Sequence, residues 1–201
     1  FMLSACGGTV TVTGQIQSLP YIEMTTAALS EFGCNVVKTK DGYEVPMTAP
    51  LLSPKTIDAK GDWSNAAFFI TAGVIGKYPV KITDIDINSK QGDKAIINVL
   101  REAGAKIDIE ENTVTAWPST VFGTRIDASQ IPDLVPILSI AAAVAVGQTV
   151  IYAAGRLRIK ESDRLAAVCH MLTGFGADCQ ETEDGLIING TGKTVCNAGC
   201  C

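Results

Sequence analysis

Hydrophobic and polar positions along this chain follow two periods, a period of two that predicts strands and a period near 3.6 that predicts helices. The fullest stretch predicts strands at 56–60 and 80–83, helices at 64–74 and 93–103, and a hairpin at 106–109 and 113–116. The resulting order is β-α-β-α-β-β. An order of this kind indicates an α/β (α+β) chain.

The same order recurs along the chain. A second unit is predicted from elements at 125–127, 132–146, 149–152, 162–173, 178–181 and 186–188, and a partial unit from elements at 10–12, 21–32, 36–38 and 43–45. Gly33, Gly104 and Gly176 follow the helix that precedes each hairpin, so the repeat is about 70 residues long. The chain is therefore expected to begin inside a unit.

The predicted helices have two kinds of surface. Leu165, Val168, Cys169 and Leu172 form the single apolar stripe of a helix with one buried face. The segment 137–146 is instead apolar on every side except Ser139. We expect it to be buried all round, as a central helix between sheets would be.

Composition changes this picture little. The chain has 201 residues, 47% hydrophobic and 18% charged, which is enough apolar surface for a folded core. Its net charge of -5 argues against duplex nucleic acid as a partner, because neutralising phosphates needs clustered cations. The longest apolar stretch, 134–146, is shorter than the roughly 20 residues of a membrane-spanning helix, so a soluble chain without membrane contact is expected.

The termini and cysteines complete these expectations. Residue 1 is not Met and no basic segment precedes the short apolar start, which suggests a fragment without an export signal. The seven cysteines are an odd number, typical of buried thiols in a reducing, cytoplasmic compartment. Cys196, Cys200 and Cys201 lack a second pair of ligands for zinc, so no metal site is expected. No cofactor is expected either.

Candidate chemistry concentrates near residue 160. Arg156, Arg158, Lys160 and Arg164 lie within nine residues and could bind a small anion in an otherwise acidic chain. Asp133 follows Pro132 at the predicted start of the buried helix, a position that favours the ionised carboxylate but is in itself more typical of a helix-capping aspartate. By spacing alone, Glu161 and Arg164 could form an ordinary surface ion pair.

The string G-R-L-R-I-K-E-S-D-R at 155–164 makes the choice more specific, because it resembles the 5-enolpyruvylshikimate-3-phosphate (EPSP) synthases. Further landmarks of that family occur in the same order, at 18–21, 61–62, 91–93, 131–133 and 184–185. The resemblance extends from about residue 7 to residue 190.

The resemblance implies the inside-out α/β barrel of enolpyruvyl transferases, built from six β-α-β-α-β-β units with helices central and sheets outside. Residues 1–60 would be the end of one lobe and 61–190 two units of the second lobe. Residues 191–201 depart from the family pattern, and we expect them to be a non-family tail.

The implied activity is transfer of the enolpyruvyl group from phosphoenolpyruvate to the 5-hydroxyl of shikimate 3-phosphate, in the biosynthesis of chorismate and aromatic amino acids. By the same resemblance Asp133 accepts the proton of the hydroxyl group and Glu161 serves in proton transfer at the vinyl carbon. Lys160 would contact shikimate 3-phosphate and Arg164 phosphoenolpyruvate. Ser18 and Tyr21 match the pair that contacts shikimate 3-phosphate from the other lobe.

The family is roughly twice as long as this chain, and of its phosphoenolpyruvate-binding cations only Arg164 has a counterpart here. The chain is therefore expected to be incomplete and inactive alone, unless the missing half of the enzyme or a second copy completes it. Two alternatives remain open: a relative of UDP-N-acetylglucosamine enolpyruvyl transferase, and a module that binds an anionic metabolite without turnover.

Overall fold

Three sheets of related topology form in the residues that the computed structural model describes, 7–47 and 51–192. The chain divides into two units, Phe1–Ala59 and Lys60–Cys201. In unit 1, β1 (Gly8–Thr11) leads through α1 (Leu19–Glu31) to the hairpin of β2 (Val37–Thr39) and β3 (Gly42–Val45). The strand order is β1-β3-β2, with β3 antiparallel to both neighbours.

Unit 2 contains the other two sheets. The first half has α2 (Trp63–Ile75), β4 (Val80–Ile82), a 3-10 turn (Gly92–Ala95), α3 (Ile96–Glu102), β5 (Ile107–Glu110) and β6 (Thr113–Ala116). The second half has β7 (Arg125–Asp127), a 3-10 turn (Pro132–Leu134), α4 (Val135–Val144), β8 (Val146–Tyr152), a 3-10 turn (Gly155–Ile159), α5 (Arg164–Gly174), β9 (Asp178–Glu181) and β10 (Leu186–Thr191).

The sheets of unit 2 follow the pattern seen in unit 1. Their orders are β4-β6-β5 and β7-β8-β10-β9, so the last strand of each repeat lies between the two that precede it. β7 adds a parallel strand beside β8, and α4 connects the two. The repeated β-α-β-β topology confirms the repeat predicted from the sequence.

The three repeated glycines share one backbone arrangement. Gly33, Gly104 and Gly176 have positive φ angles of 81°, 102° and 87°. Each donates its N–H to the carbonyl three residues earlier, and the next residue donates to the carbonyl five residues earlier. These are Schellman helix ends, which glycine favours because it lacks a Cβ. The repeat in the sequence is thus a repeated way of ending a helix.

The prediction of a strand at 56–60 was wrong. These residues form no strand, and Ile57 is 58% exposed. Their only strongly apolar side chain is this isoleucine, so the alternating pattern offered a sheet almost nothing to bury. Among the described residues, the repeat that contains β8 therefore has its first strand, β7, whereas the sheet of β4, β5 and β6 has no corresponding strand.

The core of unit 2 lies around α2 and α4. Nearly every side of α4 is buried, and its one polar side chain, Ser139, donates to the Val135 carbonyl at 2.7 Å. The buried residues of α5 are Leu165, Val168, Cys169 and Leu172, which confirms the predicted stripe.

Two further expectations concern the chain as a whole. Across the described part of the chain, no helix is long and apolar enough to cross a membrane. Cys34, Cys169 and Cys179 are free and buried. The terminal cysteines at 196, 200 and 201 lie outside the described residues.

Candidate active site

The carboxylate of Asp133 is where the predicted residues of unit 2 meet. Asp133 lies in the 3-10 turn Pro132–Leu134, directly before the buried helix α4. Its Oδ1 accepts a hydrogen bond of 2.8 Å from Nη1 of Arg164, and Nζ of Lys160 lies 3.7 Å from the same oxygen. All three side chains are about one-quarter to one-third exposed. One carboxylate therefore faces two cations at a half-buried position.

Glu161 completes this cluster through Arg164. Both Nε, at 3.1 Å, and Nη2 of Arg164 donate to Oε1 of Glu161. This hydrogen bonding lowers the pKa of Glu161 below its usual range and raises that of Arg164. Glu161 is also the most exposed member, at 67%. The guanidinium thus joins the two carboxylates that sequence reasoning selected as catalytic.

The segment that carries Lys160 and Glu161 lies between the 3-10 turn Gly155–Ile159 and α5. Asp163 is the N-cap of α5 and accepts from the Ala166 N–H at 3.0 Å. This cap explains why α5 begins at Arg164 and not at the predicted residue 162. Lys160 and Glu161 consequently lie in a loop, where side chains can turn towards a ligand.

A buried carboxyl group that the sequence did not single out as a site residue, Asp93, lies near enough to Asp133 to interact with its charge. Asp93 is only 1% exposed, and its Oδ2 accepts from the Ser64 hydroxyl. Its Oδ1 is buried without a hydrogen-bond partner in the described parts of the chain. Burial raises the pKa of Asp93, and the nearby charges of Asp133 and Asp62 raise it further. The Gln91-Gly92-Asp93 string marked this position, but nothing in it indicates burial.

Two family landmarks, at 61–62 and 91–93, meet in a hydrogen-bond network beside this carboxyl. Asp62 is the N-cap of α2 and accepts from the N–H groups of Ser64, at 3.0 Å, and Asn65. Nε2 of Gln91 donates to Asp62 at 2.6 Å and to the Ser64 hydroxyl at 2.9 Å, while Oε1 accepts from the N–H of Trp63. The network fixes the start of α2 against the 3-10 turn that carries Asp93.

The other two predicted residues belong to unit 1. Ser18 is the N-cap residue of α1 and has a left-handed backbone, with φ of 55°. Its carbonyl accepts from the N–H of Tyr21 at 3.1 Å, and Tyr21 is 36% exposed. The structure therefore places both at the first turn of one helix. Their contact with a substrate remains a prediction.

The cluster around Asp133 has the groups needed to bind an anion and to move a proton. Arg164 offers a planar fork that matches a carboxylate or phosphate with two hydrogen bonds. An incoming anion would compete with Asp133 and Glu161 for that fork. Release of Glu161 would remove the hydrogen bonding that lowers its pKa, which couples anion binding to proton transfer.

Known proteins match this chain over nearly its whole length. The model of the family EPSP synthase (3-phosphoshikimate 1-carboxyvinyltransferase) matches residues 1–199. The match includes most of the segment 191–201, so the boundary of a non-family tail remains a prediction. A Clostridium novyi 3-phosphoshikimate 1-carboxyvinyltransferase is 41% identical over 184 residues, covering 92% of this chain and 42% of the relative. One from Methanocaldococcus jannaschii is 39% identical over 187 residues, covering 92% and 43%.

Solved structures of known proteins have a similar fold over most of this chain. The EPSP synthase of Acinetobacter baumannii superposes with a TM-score of 0.74 at 30% identity, covering 94% of this chain and 44% of that one. The enolpyruvyl transferase NikO of Streptomyces tendae, at 18% identity and a TM-score of 0.67 over 92% of this chain and 43% of that one, shares the fold. The chain spans less than half the length of each of these proteins. With a family match over nearly its whole length, it belongs to the EPSP synthase family.

Proposed function

We propose that the protein represented by this chain transfers the enolpyruvyl group of phosphoenolpyruvate to the 5-hydroxyl of shikimate 3-phosphate. The observation that carries the proposal is the Asp133 carboxylate, which Arg164 and Lys160 contact while Glu161 binds the same guanidinium. The relatives' names supply the substrate class. They favour this reaction over transfer to a UDP-sugar.

In the addition step, the 5-hydroxyl oxygen of shikimate 3-phosphate bonds to C2 of phosphoenolpyruvate. Asp133 accepts the hydroxyl proton, and Glu161 serves in delivering a proton to the methylene carbon. Phosphate then leaves C2 and the methyl carbon loses a proton, which restores the vinyl group and balances the reaction. Two carboxyl groups with opposite proton duties are therefore needed in one site.

The electrostatics of the cluster suit these duties. Asp133 precedes the buried helix α4 and contacts two cations, a setting that favours the ionised form needed to accept a proton. Glu161 is ionised while Arg164 binds it, since that hydrogen bonding lowers its pKa. When phosphoenolpyruvate engages Arg164, Glu161 loses this stabilisation and can carry a proton.

Binding of the acceptor substrate extends the proposal to three more residues. Lys160 supplies a cation next to Asp133 for the phosphate or hydroxyl groups of shikimate 3-phosphate. Ser18 and Tyr21, at the first turn of α1, supply hydroxyl groups for binding shikimate 3-phosphate. We assign no metal or other cofactor to the reaction. The remaining cations of the site would come from the rest of the enzyme or from a second copy of the chain.

A chimera tests the proposal. The 184 residues of this chain that align with the Clostridium novyi relative replace the corresponding segment of that full-length protein. We expect phosphate release that requires both phosphoenolpyruvate and shikimate 3-phosphate. The matched controls are the same chimera with Asp133→Asn, expected to lose about 10²- to 10⁴-fold in kcat, and with Asp84→Asn, at an exposed bend, expected to remain active.

The possible outcomes separate the alternatives. A chimera that unfolds cooperatively and binds shikimate 3-phosphate but releases no phosphate would indicate a non-catalytic binding module. Turnover with a UDP-sugar in place of shikimate 3-phosphate would refute the substrate assignment. The 201-residue chain alone is expected to give no turnover, and rapid phosphate release by it would disprove that it is incomplete.

A further inference from the structure

The K-E-S-D-R string and the arginine two residues before it separate into two sets of side chains. Lys160, Glu161 and Arg164 belong to the cluster around Asp133. Arg158 and Asp163 instead bind each other, and Arg158 also binds the turn between β9 and β10, residues 182–185. A single short segment thus has one set of side chains for the site and another for its own support.

Arg158 uses every nitrogen of its guanidinium in this support. Nε donates to the Glu183 carbonyl at 2.9 Å and Nη2 to the Thr182 carbonyl at 2.6 Å. Nη1 donates to Asp163 at 2.8 Å and to Glu181 at 3.1 Å. The planar fork therefore fixes the direction of the segment as well as its position, which a lysine could not do equally well.

Asp163 connects this anchor to the helix that begins with Arg164. Its Oδ1 accepts from the N–H of Ala166 at 3.0 Å, while Oδ2 accepts from Arg158. The first-turn hydrogen bond and the bond from Arg158 both lower the pKa of Asp163, so it is a carboxylate. The start of α5 is consequently held to the 182–185 turn through one arginine.

The same turn holds the other end of the segment. The Asp184 carbonyl accepts from the N–H of Ala154 at 2.7 Å, and the Asp184 carboxylate accepts from the N–H of Ala153 at 3.0 Å. Ala153 has a positive φ of 56°, a conformation that a non-glycine residue rarely adopts without such restraint. The loop that carries Lys160 and Glu161 is therefore tied to the 182–185 turn before and after these residues.

We infer that Arg158 is a positioning residue for enolpyruvyl transfer, which holds Lys160, Glu161 and Arg164 in place against Asp133 by binding Asp163 and the 182–185 turn. The inference rests on the proposed function for its catalytic consequence. Its structural part stands on the contacts of Arg158 alone. Arg158 lies outside the buried core, at 28% exposure, so its removal is expected to loosen the segment without unfolding unit 2.

Amide hydrogen exchange on the 201-residue chain tests the structural part. In Arg158→Ala, amides from 159 to 166 should lose protection by about tenfold or more, while those of α4 and β8 keep theirs. Arg101→Ala is the matched control, because Arg101 also donates two hydrogen bonds to a backbone carbonyl, that of Ile107, but in the preceding repeat. It should leave 159–166 unchanged. Unchanged protection of 159–166 in Arg158→Ala would overturn the inference.

Kinetics of the chimera test the catalytic part. Arg158→Ala should lower kcat by about tenfold or more with an unchanged unfolding temperature, Arg158→Lys should recover part of the loss, and Arg101→Ala should have little effect. Loss of protection at 159–166 without any loss of kcat or of substrate affinity would refute the positioning role. An inactive parent chimera would count against the proposed function, and the exchange measurement would still decide whether Arg158 holds the segment.

Discussion

Arg164 and Asp133, 31 positions apart in the sequence, are joined by a hydrogen bond of 2.8 Å between Nη1 and Oδ1. Arg164 is the first residue of α5, where the helix dipole disfavours a positive charge. Asp133 and Glu161 compensate that charge. A cation that needs two carboxylates at the wrong end of a helix contributes little to helix stability, so an arginine at this place suits ligand binding better than support of the helix.

We predict that Arg164→Lys weakens phosphoenolpyruvate binding by about 10- to 100-fold, the equivalent of one lost hydrogen bond to a charged group. The substitution keeps the charge but removes the fork that meets a carboxylate or phosphate through two parallel bonds. The measurement is the KM for phosphoenolpyruvate in the chimera. Arg101→Lys, in the preceding repeat, is the control and should leave KM unchanged. An equal KM for Arg164→Lys and the parent would contradict the role given to the fork.

The helices of unit 2 could be predicted from the sequence because burial follows local periodicity. The Leu165, Val168, Cys169 and Leu172 stripe and the all-round burial of α4 are properties of the pattern itself. The pairing of Arg164 with Asp133 is different, since it depends on how two helices pack. Periodicity carries no such information, and only the family resemblance brought these residues together in advance.

The ends of these helices could also be predicted from the sequence, and they allow a stability test with an internal control. We predict that Gly176→Ala destabilises the chain by about 1–3 kcal/mol, because alanine is strained at a φ of 87°. Gly174→Ala should instead stabilise it by about 0.5–1 kcal/mol, since Gly174 is within α5 and an added Cβ meets nothing within 4 Å. Urea unfolding measures both. Equal effects of the two substitutions would rule out the Schellman end as the reason for the repeated glycine.

Asp93 marks the limit of prediction from sequence. Its neighbours Gly92 and Lys94 are partly exposed, and a polar residue in a Gly-containing string ordinarily indicates a solvated turn. Asp93 is buried instead because the start of α2 packs against this turn through the network of Asp62, Ser64 and Gln91. Tertiary packing thus decides the environment of this carboxyl.

The burial of Asp93 predicts that ionisation of this residue lowers the stability of the folded chain in a pH-dependent way. Its pKa is raised above the usual 3.8, so the folded chain holds this proton more tightly than the unfolded chain does. This loss of stability is absent below the unfolded pKa of about 3.8, and it grows as pH rises through the folded pKa. Asp93→Asn, which cannot ionise, should therefore gain stability relative to the parent by about 1–3 kcal/mol between about pH 4 and pH 7.

Urea unfolding across this pH range is the measurement, and Asp84→Asn is the control for removing one carboxyl group at an exposed bend. The informative quantity is how the difference from the parent changes with pH. If Asp93→Asn and Asp84→Asn gave the same pH dependence, the burial of Asp93 would have no energetic consequence for ionisation.

Asp133→Asn separates binding from proton transfer at the site itself. Asparagine has nearly the shape of aspartate but cannot accept the hydroxyl proton, so kcat of the chimera should fall by about 10²- to 10⁴-fold, the usual contribution of a general base. Affinity for phosphoenolpyruvate should not fall, because the substitution removes a carboxylate that competes for Arg164. Titration calorimetry of phosphoenolpyruvate beside the phosphate-release assay measures both quantities. A matched loss of affinity and turnover would mean that Asp133 holds Arg164 for the ligand, and its role as the base would then be wrong.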